Sequence, residues 1–169
     1  MKKIRSKLLL VIVFFGLVTY TNLAFANSDL ERCRTLISQL SFDEAYAVCR
    51  TAAEQAHAVA QFILGTMYYF GNGIPQDYAE AVRWYRAAAE QGYASAQWLL
   101  GWMYRSGEGV IQDYLLAHMW FNISAANGNV SAAEARNSVS QLMSNEQITQ
   151  AQALARQCLN SNYTDCGYQ

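Results

Sequence analysis

Residues 58–93 read AVAQFILGTMYYFGNGIPQDYAEAVRWYRAAAEQGY, and residues 94–129 read ASAQWLLGWMYRSGEGVIQDYLLAHMWFNISAANGN. The two stretches align without a gap, so that matching residues lie 36 positions apart. The matching pairs include Gly65/Gly101, Tyr68/Tyr104, Gly71/Gly107, Gly73/Gly109, Asp77/Asp113 and Trp84/Trp120. A fixed period of about 20 to 50 residues is typical of solenoids, in which each repeat packs against its neighbours. The repeat therefore predicts a binding surface rather than a catalytic pocket.

Each copy of the repeat predicts two helices, A and B. Apolar spacing places Gln61, Leu64 and Gly65 on one face of helix A. A glycine inside a helix costs about 1 kcal/mol relative to alanine, so Gly65 predicts a partner that passes too close for a side chain. The Gly-x-Gly motif ends helix A, and Asp77 is expected to cap helix B. The predicted buried stripes of the two B helices are Ala81, Trp84, Tyr85, Ala88 and Ala117, Trp120, Phe121, Ser124.

The flanking segments predict atypical terminal repeats. Residues 50–55, RTAAEQ, align with residues 86–91, RAAAEQ, so the segment before the first full repeat is a degenerate copy. Capping boxes are expected to begin at Ser28, Ser41, Ser131 and Ser144. We divide the chain into a signal peptide (1–26), a degenerate N-terminal helix pair (27–56), two full repeats (57–92 and 93–128), and C-terminal capping helices with an irregular tail (129–169).

The N-terminal residues predict export. A basic segment with Lys2, Lys3, Arg5 and Lys7 precedes an apolar run over 8–18 and the small-residue site Ala24-Phe25-Ala26. This arrangement is typical of a signal peptide cleaved after Ala26. The alternative is an uncleaved anchor helix, which would need about 20 apolar residues. We expect a bacterial protein that is periplasmic or secreted.

Four cysteines follow the predicted cleavage site: Cys33, Cys49, Cys158 and Cys166. An even number in an exported chain indicates disulfides, with three possible connectivities. Proximity favours Cys33–Cys49 and Cys158–Cys166, which would staple the two ends of the chain. Each bond would contribute about 2–3 kcal/mol to stability.

The repeated residues resemble the Sel1-like repeat, a relative of the tetratricopeptide repeat. The first copy carries the family pattern at Ala58, Ala60, Gln61, Leu64, Gly65, Tyr68, Gly71, Gly73, Asp77, Ala81, Trp84, Tyr85, Ala88, Ala89 and Gly92. The second carries it at Ala94, Ala96, Gln97, Leu100, Gly101, Tyr104, Gly107, Gly109, Val110, Asp113, Ala117, Trp120, Phe121, Ala125 and Gly128.

The resemblance implies an all-α fold, a right-handed α-solenoid of antiparallel helix pairs. It also implies an adaptor or scaffold that binds a protein or peptide partner and needs no cofactor. An alternative comes from the cysteine-rich branch of the family, which is associated with peptidoglycan fragments and β-lactams, as a binder or weak hydrolase. That branch places a cysteine pair in every repeat, whereas both full repeats here lack cysteine.

The concave face of the related tetratricopeptide solenoid is lined by outward positions of the A helices. In this chain the corresponding residues are Phe62, Thr66, Tyr69, Trp98, Trp102 and Arg105. Aromatic residues and arginine are common anchors of recognition surfaces, so these six are the predicted partner-binding residues. For Phe62 and Trp98 the alternative is packing between repeats. Tyr69 and Trp102 lie where the two copies differ, which favours a surface role.

Catalytic and nucleic-acid functions find little support in the sequence. His57 and His118 occupy non-equivalent repeat positions, and no nucleophile, metal-ligand or phosphate-loop motif is present. The chain has a formal net charge of −1, with no basic stretch that would indicate nucleic-acid binding. We therefore predict neither catalytic nor metal-ligating residues, and no stable membrane insertion once the signal peptide is removed.

Overall fold

The computed structural model describes residues 28–167, which form eight α-helices and no strand. The helices are α1 (28–38), α2 (Phe42–Glu54), α3 (Ala58–Phe70), α4 (Tyr78–Ala89), α5 (Ala94–Ser106), α6 (Tyr114–Ala126), α7 (Val130–Ser140) and α8 (Asn145–Asn160). The predicted signal peptide lies outside the described residues. None of the helices within 28–167 combines the length and the apolar character needed to cross a membrane.

Consecutive helices pack against each other from α2 to α7, so the predicted all-α solenoid of antiparallel helix pairs is confirmed. Helices α3 and α5 are the A helices of the full repeats, and α4 and α6 are their B helices. The last helix, α8, packs against α6, which is therefore covered by both α7 and α8. The domain boundaries given above stay a prediction.

The glycines inside α3 and α5 lie directly under an aromatic ring. A Cβ atom on Gly65 would be 2.7 Å from Cδ1 of Tyr85, and one on Gly101 would be 2.8 Å from Cδ1 of Phe121. Both rings are fully buried. The close approach predicted from the recurring glycine is confirmed, and the B helix of the same repeat makes it.

The two glycines of each Gly-x-Gly motif have different roles. Gly107 has a φ of 79° and caps the C-terminus of α5 in the left-handed conformation, as predicted. Gly109 instead lies on the backbone of the preceding repeat, because a Cβ atom there would overlap the carbonyl of Tyr78, the first residue of α4. Gly71 and Gly73 repeat this division, and Gly73 lies on the carbonyl of Phe42 at the start of α2. The second glycine therefore sets the distance between neighbouring helix pairs.

A buried glutamine connects each repeat to the one before it. Gln97 Nε2 donates to the carbonyl of Ala89 at 2.9 Å, and Gln97 Oε1 accepts from Asn127 Nδ2 at 2.8 Å. In the first repeat the same connection joins Ala53, Gln61 and Gln91. A buried side-chain amide needs both donor and acceptor partners, and here it finds its acceptor in the preceding helix pair and its donor at the end of its own B helix. We call these connections the amide ladder.

Helix capping agrees with the sequence only in part. Asp77 and Asp113 accept hydrogen bonds from Glu80 N and Leu116 N, and Ser144 forms the expected capping box with Gln147. The boxes predicted at the other serines are wrong. Ser41 occupies an N-cap position without a side-chain hydrogen bond, Ser28 already lies within α1, and α7 is capped by Asn129, which accepts from Ser131 N.

The predicted disulfides Cys33–Cys49 and Cys158–Cys166 are both formed. The second bond closes the tail onto α8, and the tail is irregular over 161–167, as expected. The tail also extends the amide ladder: the Tyr163 hydroxyl lies 2.8 Å from Asn127 Nδ2 and 3.2 Å from Asn127 Oδ1. The tail is therefore a packed cap of the second repeat.

We expect Gly109→Ala to destabilise the fold more than Gly107→Ala. Both substitutions put alanine at a positive φ, but only alanine at residue 109 would also collide with the backbone of Tyr78. Overpacking of this kind costs about 1–3 kcal/mol beyond the backbone strain. Urea unfolding followed by circular dichroism would measure the difference. Equal losses in the two variants would show that the loop does not fix the spacing between repeats.

Candidate partner-binding groove

Two adjoining depressions run along α5. The larger, of about 530 Å³, is lined by Tyr69, Phe70, Trp98, Leu99, Trp102, Met103, Ser106 and Glu108. We call it the aromatic groove. The smaller, of about 300 Å³, is lined by Phe62, Ser95, Trp98, Leu99, Asn129 and Ser131, and we call it the N-terminal pocket because it lies at the start of α5. Trp98 and Leu99 line both, so the two depressions form a single path along the helix.

An aromatic stack forms one wall of this path. The rings of Trp98 and Trp102 meet edge to face at 5.9 Å, and Trp102 meets buried Phe121 at 5.8 Å. The guanidinium of Arg105 lies 4.5 Å from the centre of the Trp102 ring. Trp98, Trp102 and Arg105 therefore form one contiguous stripe, held against the core through Phe121.

The two tryptophans of this stripe have unpaired ring donors. Nε1 of Trp98 and Nε1 of Trp102 are shielded from solvent and have no acceptor among residues 28–167. A buried donor without a partner costs about 1–3 kcal/mol. Two donors that residues 28–167 do not satisfy therefore lie behind the wall of the aromatic groove.

Tyr69 and Glu108 connect the two repeats at the edge of the aromatic groove. The Tyr69 hydroxyl donates to Glu108 Oε2 at 3.1 Å, and its ring packs against Phe70 at 4.9 Å and Tyr78 at 5.3 Å. Burial raises the pKa of Tyr69, and the hydrogen bond to the Glu108 carboxylate raises it further. The hydroxyl therefore stays protonated at neutral pH and holds the carboxylate in position.

Four of the six predicted partner-binding residues line one of the two depressions. Tyr69, Trp98 and Trp102 line the aromatic groove, and Phe62 lines the N-terminal pocket. Thr66 and Arg105 line neither depression. All six are half-buried.

Thr66 and Phe62 take part in internal packing. Thr66 Oγ1 donates to the carbonyl of Phe62 and lies 3.3 Å from the hydroxyl of Tyr85, whose pKa burial raises to about 12. Phe62 packs against Tyr85 at 6.0 Å and Tyr93 at 5.1 Å. Phe62 thus supports the start of α5 while it lines the N-terminal pocket. A partner-binding role for the six stays a prediction.

Several residues of the aromatic groove lie outside the set predicted from sequence: Phe70, Leu99, Met103, Ser106 and Glu108. The predicted set contains only outward positions of the A helices, whereas Phe70 ends α3 and Glu108 lies in the loop after α5. Both differ from their counterparts in the other repeat, where Phe70 matches Ser106 and Glu108 matches Asn72. Comparison of the two copies beyond the A helices could have found them. Phe70 is 63% exposed.

The histidines lie apart from the groove lining. His57 is the N-cap residue of α3, and His118 is buried in α6 with no partner for Nδ1 among the described residues. Burial lowers the pKa of His118, and Arg136 lowers it further. Within 28–167 no group of three His, Cys, Asp or Glu side chains could hold a metal ion.

Replacing His118 with valine, the residue at the matching position Val82, should weaken the acid sensitivity of the fold. The unfolded chain takes up a proton near pH 6.5, but buried His118 does so only at lower pH. The unfolded state therefore binds more protons below pH 6.5, and stability falls as the pH falls. Urea unfolding at neutral and mildly acidic pH should show a smaller loss for His118→Val than for the wild type.

The control for this measurement is His57→Gln, which removes the other histidine of the chain and shows whether loss of any histidine has the same effect. If His118→Val keeps the wild-type pH dependence, burial of His118 is not the source of the acid sensitivity.

Two segments of the chain, residues 58–93 and 94–129, match the family model of the Sel1 repeat. The crystal structure of a Sel1 repeat protein from Oxalobacter formigenes is 34% identical, with a TM-score of 0.62, and the match covers 67% of this chain and 88% of that one. A search of curated proteins finds no match.

A second solved structure is that of c5321, a protective antigen present in uropathogenic Escherichia coli strains that displays an SLR fold. It is 30% identical with a TM-score of 0.78, and the match covers 83% of this chain and 31% of c5321. This chain thus spans about a third of the length of c5321. Both repeats and both structural matches lead to the same assignment: the chain belongs to the Sel1 repeat family.

Proposed function

We propose that this protein is an exported adaptor that binds a segment of another protein in the aromatic groove. Sel1 repeats generally act as scaffolds for protein–protein interactions. The observation that carries the proposal is the groove itself, about 530 Å³ with mainly apolar and aromatic walls on the A-helix side of the repeats. Large apolar depressions on a monomer often mark interaction sites.

The dimensions of the path suit a short segment. Between Ser95 and Ser106, both of which line it, α5 rises by about 17 Å at 1.5 Å per residue. About five residues of extended chain, or three turns of helix, cover this length. We therefore favour a peptide or a single helix as the occupant.

Export agrees with the cysteine chemistry of the chain. All four cysteines are paired, and disulfides persist in oxidising compartments such as the periplasm or the extracellular space. We propose that residues 1–26 act as a cleaved signal peptide and that the mature protein is periplasmic or secreted.

The adaptor role is preferred here over peptidoglycan-fragment or β-lactam chemistry. One disulfide joins α1 to α2 and the other joins α8 to the tail, so both lie outside the two full repeats. The cysteine pair in every repeat, which distinguishes the cysteine-rich branch, has no counterpart here. No specific feature of the groove favours hydrolysis.

We expect Phe70→Ala to weaken peptide binding about tenfold, since an aromatic anchor at a protein interface contributes on the order of 1–2 kcal/mol. Peptides selected from a random library on the wild-type protein would be labelled, and their affinities measured by fluorescence anisotropy. Leu40→Ala is the matched control, because Leu40 is 72% exposed but lies in the turn between α1 and α2. Equal affinities for wild type and Phe70→Ala would place binding elsewhere on the molecule.

A further inference from the structure

Glu108 is the one charged residue that lines the aromatic groove. Tyr69 donates a hydrogen bond to its Oε2 atom, while Oε1 accepts none from residues 28–167. No arginine or histidine of the described chain lies close enough to form an ion pair with it. The groove therefore holds a positioned carboxylate without a counter-charge.

A segment bound in the groove must compensate for the hydration that this carboxylate loses. Glu108 is half-buried, so a segment lying across the groove would remove most of its remaining water. Burial of an unpaired carboxylate is strongly unfavourable, whereas a cation or a strong donor within hydrogen-bond distance offsets the lost hydration. An apolar segment alone would bind poorly, and an acidic one worse.

From this geometry we propose that the partner segment carries a lysine or arginine beside its apolar anchor, and that this cation pairs with Glu108. The inference rests on the proposed function and adds the chemistry of the partner to it. The apolar side chain lies between Phe70 and Trp102, and the cation reaches Oε1 of Glu108. Tyr69 holds the carboxylate in place before the partner arrives.

The charge of residues 28–167 supports a basic partner. All 13 acidic residues of the chain lie within this range, whereas four of its 12 basic residues, Lys2, Lys3, Arg5 and Lys7, precede it. Eight basic residues remain, so residues 28–167 carry a net charge of −5, against −1 for the whole chain. A net negative surface attracts a cationic segment and speeds its association.

Arg105 does not reverse this preference. Its guanidinium stacks on the Trp102 ring at 4.5 Å, and Arg105 is absent from the lining of both depressions. The matching residue of Glu108 in the first repeat is Asn72, so the charge belongs to the second repeat alone. Glu108 is thus specific to the groove and is not part of the repeated scaffold.

The test is a selection from one random peptide library on four forms of the disulfide-bonded protein. These are the wild type, Glu108→Gln, Glu146→Gln and Phe70→Ala. Glu146→Gln removes the same charge from the first turn of α8, away from the groove lining. Wild type and Glu146→Gln should enrich apolar peptides with an adjacent lysine or arginine. Glu108→Gln should enrich apolar peptides without that basic residue, and Phe70→Ala should lose the apolar enrichment.

The best basic peptide should then bind Glu108→Gln about tenfold more weakly than it binds the wild type. Added salt should weaken its binding to the wild type and to Glu146→Gln, but not its binding to Glu108→Gln. The inference would be overturned if the wild type enriched apolar peptides without lysine or arginine. It would also be overturned if Glu108→Gln enriched the same basic peptides as the wild type. Either result would leave the proposed function standing. Absence of any enrichment on the wild type would overturn both.

Discussion

The contact between Gly109 and the first residue of α4 is the constraint on which the rest of the molecule depends. It lets the loop after α5 lie directly on the backbone of Tyr78, at a distance that excludes even a methyl group. The same contact brings the preceding residue, Glu108, within hydrogen-bond reach of Tyr69, which packs on Tyr78. One glycine therefore sets the spacing between repeats and completes the edge of the aromatic groove.

The amide ladder reinforces this spacing from the other end of the helices. Gln97 donates to the preceding helix pair and accepts from the end of α6 in its own pair, so loss of either partner would leave a buried amide unsatisfied. Tyr163 satisfies Asn127 in the same way, and the bond between Cys158 and Cys166 keeps the tail in place. The amide ladder therefore ends at Tyr163, whose hydroxyl bonds the side chain of Asn127.

The fold could be predicted because its main signals are local and repeated. Three signals recur in both copies, and each has a direct physical explanation. They are the helical spacing of apolar residues, the capping aspartate, and the glycine that lies under Tyr85 or Phe121. The site could be predicted only in part. Tyr69, Trp98 and Trp102 line the groove, but Phe70 and Glu108 join them only because neighbouring repeats dock through Gly109. The docking of one repeat on another depends on tertiary packing, and the spacing of residue types along the sequence does not reveal it.

The four tryptophans fall into two pairs. Trp84 and Trp120 are matched between the copies and lie in the B helices, whereas Trp98 and Trp102 replace Phe62 and Thr66 and line the groove. If partners bind where the copies differ, an NMR titration with a selected peptide will distinguish the two pairs by their indole N–H signals. We predict that the signals of Trp98 and Trp102 shift while those of Trp84 and Trp120 stay in place. Shifts confined to Trp84 and Trp120 would contradict binding in the aromatic groove.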